Sequence, residues 1–197
     1  MDFKRFNRQL DFLIEIDKAK QVYRNTILMD ASRTETDAEH SWHMAIAAML
    51  LREYSDDKEM DLCKVFKMAL IHDIVEIDAG DVFAYSNVDY SLKARKERKA
   101  AERIFGLLPE EQSREFLSLW NEYEEASTKE AKFAQAMDCF MPLLHNYITE
   151  GRQWRKFNVT SDKVLSRNSK IEKSSKVLWN YIKDIVEDSV KKGYLKR

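Results

Sequence analysis

Four glycines and two prolines in 197 residues leave this chain few places to turn sharply or to break an element. These two residue types punctuate turns and interrupt helices and strands, and average usage would supply several times as many. No alternating apolar–polar run exceeds a few residues, so the chain is predicted to be all-α. At this length it can bury a substantial core without disulfides and suits one domain carrying a helical appendage.

The periodicities place the helices. Phe6, Leu10, Leu13, Ile14 and Val22 predict one over about residues 3–22. From Arg24 to Asp37 the period is lost and Thr, Ser, Asn and Asp collect, which predicts a loop. Thr36 or Asp37 can cap the next helix, Ala38 to about Tyr54. A third is predicted from Met60 to Ile77, and its nearly apolar stretch Val65–Ile71 predicts burial on most sides. Gly80 fits a left-handed C-terminal residue, and residues 82–90 read as irregular. Further helices are expected at 91–106, 109–126 with Pro109 at its start, and 128–150. Pro142 should kink or shorten the last of these. A final amphipathic helix is expected over 169–191, where Val177, Leu178, Tyr181, Ile182, Ile185 and Val186 need a covering surface.

The formal net charge of -1 argues against nucleic acid or an anionic membrane as partner. Lys93, Arg95, Lys96, Arg98 and Lys99 alternate with Ala and Glu97 and read as a solvated helix face. Cys63 and Cys139 form no CxxC pair, which predicts reduced thiols and a cytoplasmic protein. The opening stretch MDFKRFNRQLDFLIEI carries acids within its apolar residues, unlike a signal peptide, and no run approaches the ~18 apolar residues of a membrane span.

Three segments set metal-type ligands inside apolar helices: Glu39-His40-Ser41-Trp42-His43, His72-Asp73-Ile74-Val75-Glu76 and Ala136-Met137-Asp138-Cys139-Phe140. A buried carboxylate is costly unless a counter-charge or hydrogen bonds compensate it. Two His and two Asp around one divalent ion make a formally neutral cluster, a mixture that suits Mn, Fe, Co, Ni or Zn better than Ca. Spacing alone leaves a hydrogen-bonded His–Asp pair open as well. Consecutive His72 and Asp73 diverge by roughly 100° on an α-helix. Glu76 lies four residues after His72 and three after Asp73, sharing their face. There it can take a proton from a water or orient one, or serve as a surface carboxylate or a support to a ligand imidazole.

The order of a single His, then His-Asp, then a distant Asp resembles the HD-domain superfamily of metal-dependent phosphohydrolases. Arg33-Thr34-Glu35-Thr36-Asp37-Ala38-Glu39-His40-Ser41 and His72-Asp73-Ile74-Val75-Glu76-Ile77-Asp78-Ala79-Gly80-Asp81 resemble two motifs of its branch containing the bacterial 5'-deoxynucleotidases. The similarity covers roughly residues 5–150, leaving 151–197 as a helical extension of a single HD-type bundle. The resemblance implies His40, His72, Asp73 and Asp138 as metal ligands, Glu76 beside the attacking water, and Asp81 lining the substrate pocket. It implies an arginine before the first ligand on the substrate phosphate. Arg24 is the nearest match, about two residues out of spacing, and Arg33 matches an arginine within the motif or pairs with Glu39 or Asp73.

Two-metal members need extra histidines between the His-Asp pair and the last Asp; residues 82–137 hold none, so one metal is expected. The implied activity is hydrolysis of a nucleoside 5'-monophosphate, deoxyribose favoured. The alternatives are another phosphorylated nucleotide, triphosphate or cyclic, as substrate, or a nucleotide-binding protein without turnover. Family members are often dimers, so a homodimer is expected. His43, His145, Trp42, Phe83, Trp154 and Trp179 read as core or packing residues.

Overall fold

The apolar stretch ahead of His72 does form a helix, but not the single one its periodicity predicts. In the computed structural model, which describes residues 3–86 and 89–197, α3 (Leu62–Ile71) stops at Ile71 and the backbone tightens into a 3-10 turn over His72–Val75 before the short α4 (Glu76–Ala79). Asp61 caps α3, its side chain accepting from the Lys64 N–H at 3.2 Å, as an N-terminal acid should. Gly80 closes α4 at φ 77° and ψ 146°. Its φ is positive as expected, but its ψ turns the chain outward in place of a left-handed helical cap.

The other helices are α1 (Phe3–Ile16), α2 (Asp37–Leu51), α5 (Tyr90–Phe105), α6 (Glu110–Glu125), α7 (Lys129–Ile148), α8 (Arg152–Lys156), α9 (Ser161–Asn168) and α10 (Lys176–Lys191). Positions 87 and 88 of the segment expected to be irregular lie outside the described residues; Asp81–Ser86 carries no regular element. The expected 169–191 helix starts later, at Lys176, after a 3-10 turn over Ser169–Lys173. Pro142 does not end α7, which continues to Ile148. Its missing N–H falls opposite the Asp138 carbonyl, the partner it would otherwise have had.

The expected loop from Arg24 to Asp37 is largely a small antiparallel hairpin. Strand β1 (Tyr23–Ile27) pairs with β2 (Thr34–Thr36) in the register Tyr23 to Thr36 and Ile27 to Thr34, with an irregularity between. Thr26, Glu35 and Thr36 are buried in it, so polar residues occupy inward positions that a strand reader would expect to be apolar.

Two hydrophobic clusters build the interior. The larger gathers Met44 and Ala48 of α2, Val65 and Met68 of α3, Phe133, Met137 and Leu143 of α7, and Leu178, Ile182, Ile185 and Val186 of α10. The α10 face is therefore covered within the chain, with Val177 and Tyr181 left outside. The smaller holds Phe12, Ile71, Ile74, Val75, Ile104, Phe105 and Trp120. The chain passes from the first cluster to the second between Ala69 and Ile71, so His72 and Asp73 stand at their seam. Helix α1 seats Phe12 there, while Phe6, Leu10, Leu13 and Ile14 are 48, 38, 58 and 70% exposed. The helix expected over 3–22 ends at Ile16, before a 3-10 turn over Asp17–Gln21, and most of the stripe that placed it faces solvent.

Candidate metal centre

Each candidate ligand side chain is placed by its local backbone. His40 lies in the first turn of α2, whose start is fixed by a capping box: the Thr36 hydroxyl accepts from the Glu39 N–H, and the Glu39 carboxylate accepts from the Thr36 N–H. His72 donates from Nδ1 to the Ala69 carbonyl at 2.9 Å, and its own carbonyl accepts from the Trp120 indole at 3.2 Å. In a 3-10 turn, side chains three apart eclipse. That stacks Asp73 and Glu76 on one side, which an uninterrupted α-helix does less closely. Asp138 comes from mid α7, nearly a hundred residues beyond His40 in sequence.

The four converge. His40 Nε2 lies 3.2 Å from Asp138 Oδ1 and 4.0 Å from Asp73 Oδ2. His72 Nε2 lies 3.1 Å from Asp73 Oδ2 and 4.0 Å from Asp138 Oδ1. Ligand atoms held ~2.1 Å from one ion stand about 3.0–4.2 Å from one another; these four distances fall in that range, and His40, His72 and Asp73 bring ligand atoms within 4.8 Å of one another, a group that does not take in Asp138. His72 Nε2 is buried and unpartnered among the described residues. With Nδ1 bound to a carbonyl, that nitrogen is left as a lone-pair donor, as a ligand must be. The donor set thus fits a divalent transition ion.

Behind the cluster lies a second shell of carboxylates. The Glu35 carboxylate, 2% exposed, sits 3.6 Å from His40 Nδ1, 3.5 Å from Arg24 Nε and 3.9 Å from His145 Nε2. His145 Nδ1 donates to the Ile27 carbonyl at 2.8 Å, so this histidine is a buried support. Asp37, Asp73 and Glu76 bring carboxylate oxygens within 4.8 Å of one another. Into that triad Arg24 of β1 inserts its guanidinium, donating to Asp73 and lying 3.3 Å from Asp37 Oδ1. A fixed cation thus lies against two of these three carboxylates.

These contacts move protons. Burial and Arg24 pull His40 down, but Asp138, Glu35 and Asp73 outweigh them and push it up to about 9. Burial and the Asp73 charge push Asp37 up to about 7. Burial, Asp73 and Asp37 hold Glu76 well above the carboxylate range. Asp138 is held well below it despite burial, chiefly because His40 hydrogen-bonds it. Buried acids of such contrasting proton affinity in one cleft mark a candidate reaction site.

The cluster opens into a cavity of about 200 Å³. Glu76, Asp81, Arg24 and Phe83 line it alongside Asp73 and Asp138. Asp81 accepts from the Asn25 backbone N–H at 3.2 Å and from its side-chain amide at 3.4 Å. Arg33 is not brought to this cavity: it forms a bidentate pair with Glu39 on the surface, at 2.8 and 2.5 Å. Trp42, 63% exposed, also lies outside. Sequence reasoning passed over Glu35, which looks like one acid among several, and Arg167 of α9, which lines the cavity from the extension. No signal in the sequence separates Glu35 from its neighbours: Glu35, Thr36 and Asp37 are buried in succession.

A family model described as HD domain matches residues 16–179. The chain is 35% identical over 134 residues to the 5'-deoxynucleotidase HDDC2 of Mus musculus and 34% identical over 134 residues to that of Homo sapiens. Each match takes in 68% of this chain but 63% and 61% of the relative, so the chain spans about three fifths of the length of the curated relatives it matches. A crystal structure titled as a predicted metal-dependent phosphohydrolase from Magnetospirillum magnetotacticum MS-1 superposes with a TM-score of 0.93 at 49% identity, covering 98% of this chain and 96% of that one.

Proposed function

Because the chain belongs to the HD-domain family, we propose that it is a metal-dependent phosphomonoester hydrolase acting on nucleoside 5'-monophosphates, with deoxyribose favoured, to give nucleoside and phosphate. The observation that carries this reading is the convergence of His40, His72, Asp73 and Asp138 with His72 Nε2 left as an unspent buried donor. His40, His72, Asp73 and Asp138 would hold one divalent transition ion. Such an ion supplies Lewis-acid polarisation of a phosphoryl oxygen and lowers the pKa of water.

The chain's own residues do the rest. Glu76 Oε2 is buried with no hydrogen-bond partner among the described residues and faces the Asp73 side of the cluster. It orients the attacking water and accepts its proton at that oxygen. The high proton affinity that burial gives Glu76 makes it a stronger base once charged than a solvated carboxylate. Asp81, held by Asn25, lies in the cavity lining where a sugar hydroxyl would be met. Arg24 helps keep Asp73 charged and lies against Asp37. All four ligand positions are kept, which argues against a binding protein without turnover.

The oligomeric reading is a homodimer. Phe3, Phe6, Leu10, Leu13 and Ile14 of α1 and Trp42, Met49 and Leu50 of α2 expose apolar surface of the kind that association covers. Sedimentation velocity checks it. No helix among the described residues is long and apolar enough to cross a membrane, in keeping with a cytoplasmic setting.

The test is phosphate release from a panel of ribo- and deoxyribonucleoside monophosphates with Mn, Co, Zn, Ni and Mg added in turn. Turnover is expected with transition ions and lost in His72→Ala and Asp73→Ala. Full turnover in both variants would remove the site from the reaction.

A further inference from the structure

A dianionic phosphate in the cavity needs more than one cation. Arg33 is outside, bound to Glu39. Arg24 lines the cavity but faces Asp73, Asp37 and Glu35 at once, so its charge is shared with the protein's own carboxylates. Lys93, also in the lining, pairs with Glu97 at 2.8 Å.

Arg167 is differently placed. It projects from the last turn of α9, a helix anchored by buried Val164 and Asn168. Its guanidinium reaches the cavity that holds Asp73, Asp138 and Glu76. Its ion pair is a long one, Nη2 to Asp138 Oδ2 at 3.8 Å, beyond hydrogen-bond length. Among the described residues its side chain donates no hydrogen bond, so a planar fork of N–H groups stands without an acceptor. Asp138 turns Oδ1 toward His40 and His72 and Oδ2 toward Arg167. One carboxylate therefore separates the ligand cluster from this fork, and an oxyanion held at the cluster falls within the fork's reach. Arg167 also lines the adjoining surface groove with Tyr85 and Ala84, which puts it at the mouth where substrate enters. Lys170, one helical turn on, lines the same cavity.

We infer that Arg167, delivered by the C-terminal extension, is a second cation on the substrate phosphate beside Arg24, donating from its guanidinium to the non-bridging oxygens of a phosphomonoester. The inference rests on the phosphohydrolase reading above, but its test need not. Guanidinium-to-phosphate pairing is bidentate and charge-assisted, which lysine matches only as a point charge.

The experiment titrates inorganic phosphate into the Mn-loaded full chain by calorimetry, for the wild type, Arg167→Lys and Arg167→Gln, alongside Mn affinity for each. Losing a hydrogen bond to a charged group predicts phosphate binding weaker by about 10- to 100-fold in Arg167→Gln, with Arg167→Lys intermediate and Mn affinity within about twofold, given the 3.8 Å separation. In turnover, the variants should raise KM for a phosphomonoester while leaving the affinity for the unphosphorylated nucleoside as it was. Equal phosphate affinity in all three proteins overturns the role of Arg167, as does a loss that Mn affinity shares in full. If the wild type binds phosphate through Arg167 but hydrolyses no phosphomonoester, the anion site stands and the hydrolase reading falls.

Discussion

Replacing Arg24 with methionine should destabilise the metal-free protein by about 3–5 kcal/mol, the cost of breaking a buried ion pair from one side. The structure argues for the upper half of that span before discounting. The guanidinium is 11% exposed and faces Asp73, Asp37 and Glu35, which are 14, 1 and 3% exposed. Methionine fills most of the volume, so the loss is electrostatic rather than a cavity. The discount comes from protons: burial and Asp73 push Asp37 up to about 7, and Glu76 lies well above the carboxylate range. Acids that can neutralise themselves need Arg24 less. The net expectation is about 3 kcal/mol near pH 7, which for a chain of this size lowers Tm by roughly 6–12 °C. The penalty should shrink as pH falls and the carboxylates protonate. Urea unfolding in chelator, then with saturating Mn, measures it, and the ion should return part of the loss because it binds only the folded state. A loss below about 1 kcal/mol in chelator would mean that the carboxylates compensate one another without Arg24, and the counter-charge argument would fail.

Four further expectations follow from the same geometry. Glu76→Gln should bind Mn normally yet lose turnover by about 100-fold or more; stopped-flow phosphate release beside a metal titration separates the two, and an unchanged rate excludes Glu76 as base. Glu35→Gln should weaken metal binding about 10- to 100-fold by loosening the orientation of His40, and a chelator competition assay giving wild-type affinity would refute that support. Thr36→Ala should cost about 1 kcal/mol through the lost cap. The capping partner Glu39 is lowered to about 2, chiefly by its hydrogen bonds from Arg33. A carboxylate with a depressed folded value contributes stability above its unfolded value of 4.5 and loses it as pH falls towards 2. Arg33→Gln should therefore flatten acid unfolding within that window; its half-exposed setting keeps the effect small.

The candidate cluster was legible because His72-Asp73 and Asp138 stand inside apolar stretches, where charged groups need a reason to be. The helical architecture was legible from the scarcity of breakers. Three things escaped. The hairpin at 23–36 has strands of five and three residues, too short to show a period of two, and its inward side is polar. The change from α to 3-10 at His72 leaves no mark in the residue pattern; it is accompanied by a tertiary hydrogen bond from Trp120 and a local one to the Ala69 carbonyl. Arg167 sits in an amphipathic segment that reads as surface; only the fold brings it beside Asp138. The outward stripe of α1 carries the opposite lesson, since periodicity identifies a helix without saying whether its apolar side faces in.

Because His72 and Asp73 bridge the seam between two separately packed interiors, the geometry of the binding pair depends on how those two halves sit against each other. A methylene removed from Ile104 or Phe133, neither of which is among the ligands, should be felt as a slackened grip on the ion as well as a lower melting point. Affinity and fold integrity in this protein are then two readings of one alignment, and a screen for tighter ion binding would select better-packed interiors as readily as better ligands.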